Sequence, residues 1–259
     1  MNPALLVSKS GLQAQETKLQ VIANNLANVN TVGFKRDSAV FADQFYEMAR
    51  MPGANSQGDN ELNSGVQLGT GVRFAATLKQ FTDGARQITG RSLDVAIMGN
   101  GFLQVAQADG STAYTRAGNL AVGSDGRLET TEGLAVQPEI VIPEGVSEIM
   151  ISESGLVSVL VNGATEELGT LQLATFVNSA GLQAVGDNLF LATDASGEAV
   201  VGEPGEAGFG VIKQYALEGS NVKAVEEMVD MISAQRSYEM NTKVLSAADD
   251  MMRNLAQAV

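Results

Sequence analysis

The stretch Ser220-Asn221-Val222-Lys223-Ala224-Val225-Glu226-Glu227-Met228-Val229-Asp230-Met231-Ile232 runs on to Val259 without a glycine or a proline. Ser220 and Asn221 can cap a first turn, because a short side-chain oxygen accepts from a free amide there. Apolar or small residues then recur at three-four spacing: Met231, Ala234, Tyr238, Leu245, Ala248, Met252, Leu255 and Val259, with Asn241 as a polar gap. A second row, Val222, Val225, Val229 and Ile232, runs beside the first. This pattern predicts an amphipathic helix. At about 1.5 Å per residue it would extend roughly 58 Å, too long to bury its stripes on itself.

The opposite end of the chain offers a partner. Leu5, Leu12, Leu19 and Leu26 fall seven residues apart, with Ile22 and Val29 three residues after two of them. Pro3 sits where a first-turn proline is tolerated. A leucine every seventh residue marks a helix built to meet another, as in a coiled coil. The polar flanks Ser8, Lys9, Gln13, Gln15, Glu16, Lys18 and Gln20 leave only a narrow apolar stripe. The two ends are therefore expected to pair, with everything between them as one insertion.

Composition narrows the chemistry. The 259 residues are 44% hydrophobic and contain no Cys, no His and no Trp. That removes disulfides, thiolate metal sites and thiol nucleophiles, together with the commonest general base. Two basic and thirteen acidic residues between Val95 and Gly202 hold eleven of the fourteen net negative charges. Nucleic acid, which needs a basic footprint, is not an expected partner. The acidic middle reads as a solubilising surface ahead of a cation site. No apolar run is long enough to span a membrane. Met1-Asn2-Pro3-Ala4-Leu5 lacks the basic region and apolar core of a secretory signal, so export is expected without a cleaved one.

The first helix gives way to Ala23-Asn24-Asn25-Leu26-Ala27-Asn28-Val29-Asn30-Thr31-Val32-Gly33-Phe34-Lys35-Arg36. Asn tolerates left-handed backbone and Gly33 supplies a reversal, so the plain reading is a helix stop. Residues 37–51 read as partly helical or turning. Residues 51–71, rich in Gly, Asn, Ser and Gln, read as a flexible loop or an extended ribbon. From Val72 to about Val95 the pattern is strand-like, with Asp83-Gly84 as a turn signal. From Ala96 to about Gly202, short strands separated by turns such as Asp109-Gly110, Asp125-Gly126 and Asn162-Gly163 predict a sandwich or irregular barrel. Residues 203–208 form a return linker, and Val211 to Leu217 a last strand.

Catalytic motifs are weak. Gly99-Asn100-Gly101 lacks the third glycine and the following helix of a nucleotide-binding turn. Glu226, Glu227 and Asp230 sit in the first turns of a helix, where carboxylates favour the dipole and read as solvated or intersubunit contacts. The Asp-Gly turns lack a twelve-residue calcium loop, and no motif activates a serine. Met228, Met231, Met240, Met251 and Met252 read as adaptable interface fillers. No enzyme, cofactor or metal is expected.

Several strings carry a resemblance. Asn24, Asn25, Leu26, Asn28, Thr31, Gly33, Phe34 and Lys35 resemble a signature of the rod and hook axial-protein family of the bacterial flagellum. Ser220-Asn221-Val222 and Val225 to Ile232, followed by Gln235, Arg236, Tyr238, Glu239 and Asn241, are similar to that family's second signature. Leu68 to Val72, Leu93 to Ile97 and Gly99 to Phe102 extend the likeness through the middle. Length and middle strings look most like the distal rod members.

The resemblance implies a structural subunit of the distal rod. Such a subunit self-assembles into a rigid helical tube that transmits torque and encloses the export channel. Implied partners are sister copies, proximal rod proteins, the hook protein, the peptidoglycan-ring and outer-membrane-ring proteins, and the flagellar type III export apparatus. The implied location is the basal body, from periplasm to outer membrane. In distal rod members, the segment at 51–71 packs between subunits. A proximal rod or hook-type protein is the alternative within the family. A secreted carboxylate-dependent glycan hydrolase with coiled-coil ends is the alternative outside it.

The expected fold is α+β: paired long terminal helices, coiled-coil-like, with an inserted, mostly antiparallel all-β domain and a small β linking region. Expected boundaries are 1–36 with 219–259 for the helical assembly domain, 37–94 with 203–218 for the extended segment and linking region, and 95–202 for the outer β-domain. The expected assembly surface comprises Leu5, Leu12, Leu19, Ile22, Leu26, Val225, Val229, Ile232, Tyr238, Leu245, Met252 and Leu255.

Overall fold

The computed structural model describes residues 3–50, 65–161 and 163–257. The chain forms two compact units: Met1–Leu26 with Asp37–Leu78 and Lys223–Val259, and Ala27–Arg36 with Lys79–Val222.

The first unit carries helix α1 (Pro3–Ala27), strands β1 (Asp37–Asp43), β2 (Tyr46–Arg50), β3 (Val66–Gly69) and β4 (Val72–Lys79), and helix α2 (Ala224–Gln257). Strand β1 pairs with β4, and β2 with β3, in two separate ribbons. Residues 37–43 and 46–50 are thus strand where helix or turn was expected. Val40, Phe41 and Tyr46 are strand formers, and cross-strand packing such as Phe41 edge-on to Phe74 at 6.0 Å overrides a weak local preference. Of the segment 51–71, residues 51–64 lie outside the described residues. Val66–Gly69 is a strand, with Gly69 opposite Tyr46.

The helices correct the expected fold. Leu5, Leu12, Leu19 and Leu26 are only half-buried, while the buried positions of α1 are Ser8, Ala14, Ile22 and Asn25. On α2 the buried positions are Glu227, Ala234 and Ala248, whereas Val225, Val229 and Ile232 are 73%, 60% and 52% exposed. Where the helices approach, the groups are small or polar. A Cβ on Gly11 would lie 3.1 Å from Asn241 Nδ2, and Asn25 Nδ2 donates to Glu227 Oε2 at 3.2 Å. Leucine knobs in apolar holes require the heptad positions to be buried, and here they are not. A paired coiled-coil stem with one inserted β-domain is therefore not the architecture. Most of the regular structure among the described residues is strand, distributed over several small sheets.

The second unit contains β5 (Arg86–Ile88), β6 (Val95–Met98), β7 (Phe102–Ala106), β8 (Thr112–Thr115), β9 (Leu120–Val122), β10 (Leu128–Thr130), β11 (Val136–Gln137), β12 (Val146–Ile151), β13 (Leu156–Val161), β14 (Ala164–Thr170), β15 (Leu173–Thr175), β16 (Gln183–Gly186), β17 (Leu189–Leu191), β18 (Val200–Gly202), β19 (Val211–Gln214) and β20 (Ala216–Glu218). The largest sheet runs β16-β17-β8-β7-β15-β18, with β11 also on β7. Strands β12-β13-β14 form a three-stranded sheet; β9-β10, β6-β19 and β5-β20 are pairs. This replaces the expected sandwich or barrel.

The Asp-Gly signals do work locally. Strands β7 and β8 pair across Asp109-Gly110, and β9 with β10 across Asp125-Gly126. Gly110 and Gly126 supply the left-handed φ of 84° and 76°. Alternation on β13 buries Val157 and Val159 against a core that includes Leu103, Leu120, Leu128 and Leu171. A second cluster stacks Phe81, Phe102 and Phe190 edge-on at 5.4 to 6.0 Å, geometry that suits the ring quadrupole.

Candidate functional site

Two constellations stand out, one in each unit. In the first unit Asn25 is buried and behaves like an extra strand residue. Its Nδ2 donates to Asp37 O at 2.8 Å, and its Oδ1 accepts from Asp37 N at 2.9 Å. The same amide reaches Glu227 Oε2. The amide thus closes the loop of chain from the last turn of α1 to the start of β1. Glu227, expected as a solvated or intersubunit carboxylate, is instead buried within the chain. A buried carboxylate needs donors, and the Asn25 amide is one of them. Glu226 remains exposed, paired with Lys223.

In the second unit the segment Thr31 to Arg36 is held by a buried ion cluster. Lys35 Nζ donates to Glu218 Oε1 at 2.6 Å and to Thr82 O at 2.7 Å. Both charged side chains are buried. Arg116 Nη1 reaches Glu218 and Asp83 at 3.2 Å each. Arg116 also donates to the carbonyls of Gly101, from Nε at 3.1 Å, and of Gly99, from Nη2. Gly84 N adds a third donor to Glu218 Oε1 at 3.0 Å. Burial lowers the Lys35 ammonium from its ordinary value; the nearby Arg116 lowers it further and Glu218 opposes both. One carboxylate thus serves two buried cations, and Asp83, more than half exposed, helps to balance the second.

Backbone contacts complete the hold. Gly33 N donates to Glu218 O at 2.8 Å. Gly33 has φ +71°, and a Cβ there would come within 2.7 Å of the Arg116–Ala117 backbone. Asn188 Nδ2 donates to Val32 O at 2.6 Å. Asn221 Oδ1 accepts from Arg36 N at 2.7 Å, while its Nδ2 donates to Gln80 O at 2.8 Å. Asn221 therefore ties two segments together and is not the cap expected of it. Ser220 Oγ accepts from Val222 N at 3.2 Å.

This arrangement is suited to holding chain rather than to reacting. Lys35, Glu218 and Arg116 are buried with protein partners, so the amine is not presented as a nucleophile. Among the described residues no group of three or more Asp and Glu could hold a metal. Asp109 and Asp125, on separate turns, bond to neighbouring Ser111 and Ser124.

Of the motif residues, Asn25, Gly33, Phe34 and Lys35 are buried and Asn28, Thr31 and Leu26 half-buried. Asn24, Gln235, Arg236, Tyr238 and Glu239 are exposed, and Asn241 is half-buried beside Gly11. Of the expected assembly residues, Val225, Val229, Ile232 and Met252 are exposed, Leu245 is half-buried and Ile22 is buried. Leu255 falls outside the described side chains. Sequence reading missed Glu218 and Arg116, and it took Asp83 only as a turn residue and Glu227 as a solvated or intersubunit carboxylate. One signal was available: Arg116 is one of only two cations in the acidic middle.

Comparison with known proteins decides the family. Residues 5–35 match the family "Flagella basal body rod protein". Residues 96–159 match "Flagellar hook protein FlgE/F/G D1 domain", and 213–258 match "Flagellar basal body rod FlgEFG protein C-terminal". The flagellar basal-body rod protein FlgG of Caulobacter vibrioides is 46% identical over 98% of each chain. The chain belongs to the flagellar basal-body rod protein family. The FlgG of Bacillus subtilis is 37% identical over 95% of each chain. The FlgF of Salmonella typhimurium is 34% identical over 96% of this chain and 95% of its own. As a member of the rod family the chain is a structural subunit of the flagellar basal body, not an enzyme, and it assembles with other flagellar components. The glycan-hydrolase alternative is dropped on this likeness, which runs the full length of the chain. The 5–35 match ends on Lys35, at the buried cluster.

Proposed function

We propose that the chain builds the distal part of the flagellar rod by polymerising into a helical tube. Sister copies meet through the outer face of α2 and through the leucine stripe of α1. The tube encloses the export channel and carries torque. The observation that carries this reading is the row Val225, Val229, Ile232, Met240 and Val244, all exposed on one side of α2. An open apolar row, on a helix that among its described side chains buries only Glu227, Ala234 and Ala248, describes a helix that is satisfied only once a second molecule covers it. Contacts between unlike surfaces that do not close produce filaments.

In this reading the subunit leaves the cell through the flagellum's own export apparatus without a cleaved signal. It then lies between proximal rod proteins and the hook protein, inside the peptidoglycan and outer-membrane rings. The fuller identity with FlgG relatives than with FlgF favours a distal place over a proximal one. Ile232→Asp places a charge at the centre of the outer row. Negative-stain electron microscopy of the purified variant is expected to show particles where the parent chain gives straight tubes. Tubes of normal length from the variant would remove α2's outer face as the assembly surface.

A further inference from the structure

Most methionines of α2 stand exposed on the described chain. Five of the ten methionines, Met228, Met231, Met240, Met251 and Met252, lie on this one helix. Four of them, Met228, Met240, Met251 and Met252, are exposed. The chain has no Cys, His or Trp, so thioethers are its most readily oxidised side chains. Met240 and Met251 lie on the same side of α2 as Val225, Val229 and Ile232, at helical spacing.

We propose that Met240 and Met251 are an oxidation site that controls assembly: a hydroperoxide converts them to sulfoxides and closes α2's outer face to a second copy. The inference rests on the assembly reading given above. In the reaction the thioether sulfur attacks the peroxide, an S–O bond forms and the O–O bond breaks. Sulfur loses two electrons; one peroxide oxygen stays on it, and the other leaves as hydroxide, which takes the proton of the transferred hydroxyl to become water. The product is a polar, chiral side chain where an apolar, flexible one stood. Burying an S=O group against apolar neighbours without a donor carries a desolvation cost that the thioether does not. Leucine fills a similar volume and favours helix, yet has no sulfur to oxidise.

The test uses the full chain and hydrogen peroxide. Peptide mass mapping is expected to find sulfoxide at Met228, Met240, Met251 and Met252 ahead of the half-buried Met231. Treated protein is expected to remain in the supernatant on sedimentation, with its critical concentration for polymerisation raised about tenfold or more. Methionine sulfoxide reductase should restore assembly. The variant Met240→Leu/Met251→Leu should polymerise like the parent and keep doing so after peroxide. It retains the exposed Met48, Met98 and Met150 as internal controls. Equal assembly of treated and untreated parent, or equal peroxide sensitivity of the leucine variant, would overturn the inference. If untreated parent and untreated variant both fail to polymerise, the assembly reading falls instead.

Discussion

Lys35 Nζ and Glu218 Oε1 sit 2.6 Å apart, buried, with 183 positions of sequence between them. The bond fixes residues just after the first helix to the strand that precedes the second. Removing one partner of a buried pair strands the other charge, whereas an apolar replacement of the whole set can be neutral.

Lys35→Met is expected to destabilise the chain by about 3 kcal/mol, the lower end for a buried pair, because Arg116 still compensates Glu218. Urea midpoints at constant slope measure it. The double variant Lys35→Met/Arg116→Met should lose clearly less or more than the sum of the singles, since both cations share Glu218. Simple additivity would mean that the cluster does not act as one unit.

Stability should also depend on pH through Lys35. Its folded value lies below the ordinary 10.5 because burial disfavours the ammonium. Between those two values the unfolded chain binds more protons, so this contribution to stability rises with pH and is lost as pH falls through the folded value. The parent should therefore gain stability relative to Lys35→Met as pH climbs from neutral toward 10.5. A flat difference would contradict the depressed value.

Gly33→Ala meets two obstacles at once: φ +71° and backbone atoms 2.7 Å from the new Cβ. A loss of about 2 kcal/mol follows from left-handed strain plus displacement of neighbouring backbone. Thermal unfolding of the purified variant reads it, and an unchanged midpoint would mean that the turn relaxes freely.

Asn25→Leu keeps volume but removes both bonds to the Asp37 peptide and the one to Glu227. Leaving these buried groups unpaired is expected to cost about 2 to 3 kcal/mol. Amide exchange at Asp37, protected in the parent by the Asn25 oxygen, should speed up markedly in the variant. Unaltered exchange would show that another acceptor takes over.

Some features are legible in the sequence alone. The two terminal helices follow from apolar spacing and the run free of glycine and proline, both of which act within a turn or two. The hairpins at Asp109-Gly110 and Asp125-Gly126 follow from residues that tolerate left-handed backbone. The exposed row on α2 was visible as a second stripe. The strand at Asp37–Asp43 was not, because its conformation depends on β4 arriving beside it.

Local periodicity specifies which stretches coil and where the chain turns, since those preferences are settled among near neighbours. It could not specify that Ser8, Ala14 and Asn25, rather than the leucines, would be buried on α1. Nor could it gather Lys35, Arg116 and Glu218 into one buried cluster with the exposed Asp83 at its edge. Burying a charge is favourable only when distant partners converge on it, and that convergence belongs to the folded chain as a whole.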